Sequence, residues 1–155
     1  MNVRSIVLTL ALCLVAAAVC LAATDPNMGT WKLNEAKSKL VPSMGKNVTV
    51  AYTAEGDNIK CTVDGVDAAG KPTHNEWVGK FDGKDYAVTG DPNSDMRSYT
   101  KVNDHTMNLT VKKGGKVTME GQIVLAKDGK SRMLTIHATD EKGAKITSTA
   151  SYDKQ

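Results

Sequence analysis

From residue 46 onward, apolar and polar side chains trade places at nearly every position. One face of successive segments reads Val48, Val50, Tyr52; then Ile59, Cys61, Val63; then Met107, Leu109, Val111; then Val117, Met119, Ile123 with Leu125. The last two segments give Leu134, Ile136, Ala138 and Ile146, Ala150, Tyr152, set against Thr, Ser, Lys and Asp. Alternate residues of a strand point to opposite faces, so this period of two describes antiparallel sheets with one dry and one wet face. Clusters of Gly, Asn, Asp and Pro separate the segments at intervals of about 10 to 14 residues, the spacing of an all-β sandwich or barrel. Gly, Asn and Asp accept the positive φ of two-residue hairpins, and Asp82-Gly83, Gly114-Gly115 and Asp128-Gly129 are the sharpest such signals. The pattern predicts about ten strands, the first around Gly29 to Leu33 and the last around Lys145 to Asp153. One helical turn or two is predicted over Asn34 to Leu40, with Asn34 as cap and Pro42 as stop.

A meander of this length leaves two unpaired edges unless the sheet closes on itself. A Greek-key sandwich needs long crossovers, and the short even turns supply none. The expected fold is therefore all-β, an up-and-down antiparallel β-barrel of about 8 to 10 strands.

Composition changes the picture at the N-terminus. Hydrophobic residues make up 41% of the 155, but nineteen of the first 23 positions carry them. Arg4, the apolar run from Ile6 to Val19, and Ala22-Ala23 before Thr24 are the three parts of a secretory signal. Cleavage is expected between Ala18 and Thr24, leaving a barrel domain over 24–155, exported to the periplasm or beyond. A membrane anchor or a lipid on Cys20 is the alternative use of that segment. No later stretch is apolar enough to span a membrane. Cys13 and Cys20 leave with the signal, so Cys61 stands alone, either as a buried small hydrophobe or as a reactive thiol. The net charge is +3 with Lys and Asp interspersed, which lacks the basic patch of a nucleic-acid binder. A single domain of this size also leaves no second catalytic lobe.

The first strand, Gly29-Thr30-Trp31-Lys32-Leu33-Asn34, opens the meander with Gly-x-Trp. That start resembles the calycin group of lipocalins and fatty-acid-binding proteins, and the ending Ala150-Ser151-Tyr152-Asp153-Lys154-Gln155 is similar to fatty-acid-binding chains. The whole chain from Asp25 resembles exported bacterial lipocalin-like proteins of unassigned function. The resemblance implies that Gly29 and Trp31 build the closed base of the barrel, with an arginine of the last strand packed across the indole. The final strand has no arginine, so Lys145 or Lys154 is expected in its place.

Little in the sequence carries reaction chemistry. There is no Gly-x-Ser-x-Gly elbow, no base is placed beside Cys61, and the carboxylates cluster in turns. The chain is expected to be no enzyme and to need no cofactor. His74 and Glu76 share a strand face and could supply two metal ligands, yet nothing nominates the rest, so no metal site is expected. His105 and His137 are scattered, and the sequons at Asn47 and Asn108 fall in strands. The interior is the candidate. With Asn75, Trp77, Gly79 and Phe81 facing inward, the residues expected to line a ligand are Tyr52, Cys61, Trp77, Tyr86, Met107 and Met119. Two functions remain open. One is a monomeric barrel that binds a small apolar or amphipathic molecule; the other is a filled barrel that meets a protein or polysaccharide through its loops.

Overall fold

The closure expected from the turn spacing is present in a computed structural model, which describes residues 25–139 and 143–155. Residues 1–24, which include the expected signal segment, and residues 140–142 lie outside the described residues. Ten strands follow one another: β1 (Gly29–Lys39), β2 (Lys46–Glu55), β3 (Asn58–Val66), β4 (Pro72–Gly79), β5 (Tyr86–Thr89), β6 (Met96–Asn103), β7 (Thr106–Lys113), β8 (Lys116–Leu125), β9 (Ser131–Thr139) and β10 (Lys145–Lys154). Each pairs antiparallel with its neighbours in sequence, and β10 returns to β1. This is a closed up-and-down barrel. Residues 25–28 and the β2–β3, β6–β7 and β8–β9 turns lie at one end, the base; the β1–β2, β3–β4 and β7–β8 connections lie at the other, the mouth. Among the described residues, no helix is long and apolar enough to cross a membrane.

The helix expected over Asn34 to Leu40 is absent. β1 runs through it to Lys39, and the only helical piece nearby is a single 3-10 turn at Pro42–Met44. Glu35-Ala36-Lys37-Ser38 has helix propensity, but barrel closure gives these residues better partners. Asn34 donates its amide to Asp153 Oδ2 at 2.7 Å instead of capping a helix. Ser38 Oγ accepts the Ser151 N–H at 2.9 Å and donates to the Asn34 carbonyl at 2.7 Å. Between the pairs Asn34–Ser151 and Lys39–Thr149 the two strands advance unequally, so the excess of β1 is taken up in a bulge. The hairpin signals also resolve unevenly. Gly114 and Gly115, at φ of 57° and 76°, form the two-residue β7–β8 turn between Lys113 and Lys116. Asp82-Gly83 instead lies in the longer β4–β5 connection, which is laid along β6 by the Asp82–Thr100 bridge and the Gly83 N–H to Tyr99 carbonyl bond. Asp128-Gly129 lies in a loop wider than two residues, between Leu125 and Arg132.

Trp31 closes the base. It is fully buried, its indole N–H donates to the Asn27 carbonyl at 2.8 Å, and two cations flank its ring. Lys154 Nζ lies 5.0 Å from the ring centroid, as the sequence suggested, while Lys145 is exposed at the mouth. The stacked guanidinium comes from β9: Arg132 sits 4.6 Å from Trp31, 5.1 Å from Tyr52 and 5.3 Å from Tyr152. Register explains the reach, because Arg132 is cross-strand to Tyr152 and Tyr152 to Leu33, two residues from Trp31. Gly29 has φ of 106°, and a Cβ there would come within 3.2 Å of Lys154 Cε. Trp31→Ala should lower stability by about 3–5 kcal/mol, the cost of emptying a large buried aromatic site. Urea denaturation measures it, and a loss below about 1 kcal/mol would mean that the base is held elsewhere.

Candidate functional site

The lower half of the interior is filled by rings. Tyr52, Cys61, Trp77 and Val88 form one cross-strand row over β2 to β5, and all are buried. Trp77 meets Tyr99 edge-on at 4.9 Å between centroids, stacks on Phe81 at 6.3 Å, and receives Tyr86 edge-on at 5.7 Å. Tyr52 meets Tyr99 and Phe81 at 6.1 Å and 5.8 Å, both edge-on. Edge-to-face contacts set the positive rim of one ring against the negative face of the next, adding to the gain from burial. Gly79 does not leave room for a ligand: a Cβ there would fall 2.5 Å from Tyr86 Cγ, so the rings already occupy its space.

Polar groups are threaded through this core. Burial pushes the hydroxyls of Tyr52 and Tyr99 up from the ordinary tyrosine range, and Tyr152 up to about 12. Burial also raises the Cys61 thiol, against the opposing pull of Arg97 and Arg132. A raised, sealed thiol is a poor nucleophile. Arg132 Nε and Nη1 and Arg97 Nε are buried and meet no hydrogen-bond acceptor among the described residues. Three ring faces compensate Arg132. Arg97 has polar partners instead: Nη2 donates to Asn75 Oδ1 at 3.2 Å and stands 3.7 Å from Asp91 Oδ2, and the guanidinium also hydrogen-bonds the Tyr99 side chain.

Toward the mouth the filling stops on one side. Along β8 the inward positions pass from Leu125 and Ile123, both buried, to half-buried Gly121 and Met119; a bulge after Met119 then sets Val117 opposite Lys112 on the outer face, where it is 52% exposed. On β9, Arg132 is buried and Leu134, Ile136 and Ala138 are half-buried; on β10, Tyr152, Ala150 and Ser148 are buried and Ile146 is not. The facing wall stays buried at Val63, Asn75, Arg97 and Val111. An inward apolar side chain meets solvent only through the mouth, so these gradients describe a recess along β8, β9 and β10. A hollow of about 340 Å³ lies at the rim of these three strands, lined by Met119, Ala138 and Ile146 from the inner face and by Glu120, His137 and Thr147 from the outer face. A second hollow of about 710 Å³ lies at the base rim, beside Asp25, Met28, Ile59, Asp104 and His105. Its one cation, Lys101, is held by Asp25 at 3.2 Å and Asp104 at 3.3 Å.

The residues expected to line a ligand therefore separate. Tyr52, Cys61, Trp77 and Met107 belong to the packed core. Tyr86 caps the rings at their edge and donates its hydroxyl to Asp82 Oδ2 at 3.0 Å. Met119 alone lies on the recess. Arg97 and Arg132 were missed, although each stands on the apolar phase of its strand, two residues before Tyr99 and Leu134.

On the outer wall, His74 lies between two carboxylates. Nδ1 is 2.7 Å from Asp64 Oδ1 and Nε2 is 3.5 Å from Glu76 Oε1, while Lys60 holds Glu76 at 2.9 Å. The carboxylates meet opposite ring nitrogens instead of converging on one point, and no metal-binding group of three or more ligands occurs among the described residues. His137 Nδ1 lies 3.0 Å from Thr147 Oγ1 on the same outer side. Comparison with known proteins adds no assignment: no family model and no curated protein matches the chain.

Two measurements check this chemistry. In native protein at pH 8, Cys61 should resist a thiol reagent such as dithionitrobenzoate and react fully in denaturant; rapid native reaction would contradict its sealing. The hydrogen bond and charge of Asp64, then those of Glu76, raise the His74 pKa. A raised folded value stabilises the fold below the unfolded pKa of about 6.5 and loses that effect as pH climbs through the folded value. In an NMR titration, His74 should therefore protonate above 6.5, and Asp64→Asn should bring its midpoint down.

Proposed function

We propose that this protein is an exported, lipocalin-like β-barrel that takes a small amphipathic molecule into its mouth, without catalysing a reaction. The observation that carries this reading is the gradient of burial along β8, β9 and β10, which leaves Met119, Ile136, Ala138 and Ile146 apolar, inward and partly wet. Apolar area left in water inside a concave wall gains about 25 cal/mol for each Å² that a ligand covers. The 340 Å³ hollow at the rim of the same strands, to which the outer-face residues Glu120, His137 and Thr147 also contribute, is within the range of small-molecule sites. Export follows from the leader-like start of the sequence.

The rival reading, a filled barrel that meets a macromolecule through its loops, draws support from the packed aromatic base. One titration separates them. The neutral fluorophore N-phenyl-1-naphthylamine should bind the purified protein saturably at one site. Ala138→Trp, at a half-buried position of the recess, should weaken uptake by at least about tenfold, a loss of about 1.4 kcal/mol, with an unchanged far-ultraviolet circular dichroism spectrum. Absence of saturable uptake by the unaltered protein would sink the carrier reading and favour the rival.

A further inference from the structure

We propose that the hollow at the base rim is a second binding site, separate from the recess, and that it takes a small organic cation with an apolar body. Its walls come from three places in the chain: residues 25–28, the β2–β3 turn and the β6–β7 turn. At about 710 Å³ it is within the range of small-molecule sites. The wall built by residues 25–28 is held in shape by its own bonds. Asp25 Oδ1 accepts the Asn27 N–H at 2.9 Å and the Asn27 side-chain amide at 3.1 Å. The Met28 N–H donates to the Asp25 carbonyl at 3.0 Å, and Lys154 Nζ donates to the Pro26 carbonyl at 2.9 Å. A wall fixed in this way loses little freedom when a ligand settles on it.

Two features set the chemistry of the ligand. Pro26, Met28 and Ile59 give the hollow half-buried apolar surface, the last two packed against the core. Covering that surface favours a hydrocarbon body. Around it stand three carboxylates, Asp25, Asp57 and Asp104, against one ammonium, Lys101. With histidine counted as neutral, the lining has two more negative charges than positive, in a chain whose formal net charge is +3. Lys101 shows that this lining accepts an ammonium, at 3.2 Å from Asp25 and 3.3 Å from Asp104. Asp57 enters none of the ion pairs among the described residues, and the Asp104 side chain is 83% exposed, so charge is left over on two separate turns. Concave walls focus a field of one sign on whatever lies between them. The acidic groups do not converge as metal ligands do, so the field suits a cationic organic head.

Three rigid isosteres test this: 1-aminoadamantane, 1-adamantanol and adamantane-1-carboxylate share one apolar cage and differ in charge. In a methyl NMR titration at low ionic strength, the amine should shift the Met28 and Ile59 methyl resonances saturably. It should bind at least about threefold tighter than the alcohol, as partly exposed charge pairs allow, and the carboxylate should bind more weakly than both. The double variant Asp57→Asn with Asp104→Asn changes two exposed turn residues and balances the charge of the lining. It should bring the ratio of amine to alcohol affinity to about one. Saturating N-phenyl-1-naphthylamine should leave the affinity for the amine unchanged. Absence of a saturable shift, equal binding of amine and alcohol, a preference that survives the double variant, or displacement of the amine by the fluorophore would each overturn the site. Uptake of the fluorophore alone decides the carrier reading, so the two fail separately.

Discussion

Pairing of β10 with β1 is the constraint on which the remaining structure depends. Without it, a ten-strand meander would present two rows of unpaired backbone groups; with it, every strand gains two neighbours and the inner face becomes a fixed volume. The join is held by more than its ladder. Gln155 donates its backbone N–H to the Thr30 carbonyl at 2.9 Å, and Lys154 Nζ reaches the Pro26 carbonyl at 2.9 Å, so the chain's end is laid across its beginning. Trp31 stands at this junction between Lys154 and Arg132. The bulge of β1 near Ser38 lets strands of unequal advance keep their pairing on the way to the mouth.

Closure also explains why the interior is divided. A chain with only seven aromatic residues cannot fill a ten-strand barrel uniformly with large side chains. Six of these residues, Trp31, Tyr52, Trp77, Phe81, Tyr99 and Tyr152, are gathered in the lower core, with Tyr86 at its edge. The inward aliphatic side chains of β8 to β10 nearest the mouth, Met119, Ile136, Ala138 and Ile146, are only half-buried. A rigid floor beneath an apolar recess follows from that unequal supply, and it separates stability from any binding role. The floor sets how strongly the barrel resists unfolding; the recess can change its side chains at little cost to the fold.

The fold was legible because its signals are local. Period-two alternation, Gly114-Gly115 and the regular turns all act within a few residues, and closure follows from the edges they leave. Misreadings occurred where long-range partners decided the outcome. Glu35 to Ser38 reads as helix until Ser151 and Asp153, more than a hundred residues later, supply bonds that a helix cannot use. The interior was legible as a face but not as a volume. Alternation put Tyr52, Trp77 and Met119 on one side of the sheet, yet which of them touch other side chains and which meet solvent depends on height along the barrel axis, a quantity set by strand stagger. Arg97 and Arg132 were hidden for a related reason. A charged residue on the apolar phase of a strand resembles noise in the alternation until its neighbours are known.

The shortness of β5 affects how the barrel wall is held. It has four residues and two register pairs with each neighbour, whereas β2 and β3 match along their lengths. Two side-chain bonds cross over it from β4 to β6: the Trp77 indole N–H to the Arg97 carbonyl at 2.9 Å, and the Asn75 amide oxygen to the Arg97 guanidinium. This part of the wall is laced more by side chains than by backbone ladder. With two register pairs on each side, β5 is the stretch of wall where the fewest ladder pairs hold the sheet together. Arg97 is the eyelet through which both laces pass, its carbonyl taking one and its guanidinium the other.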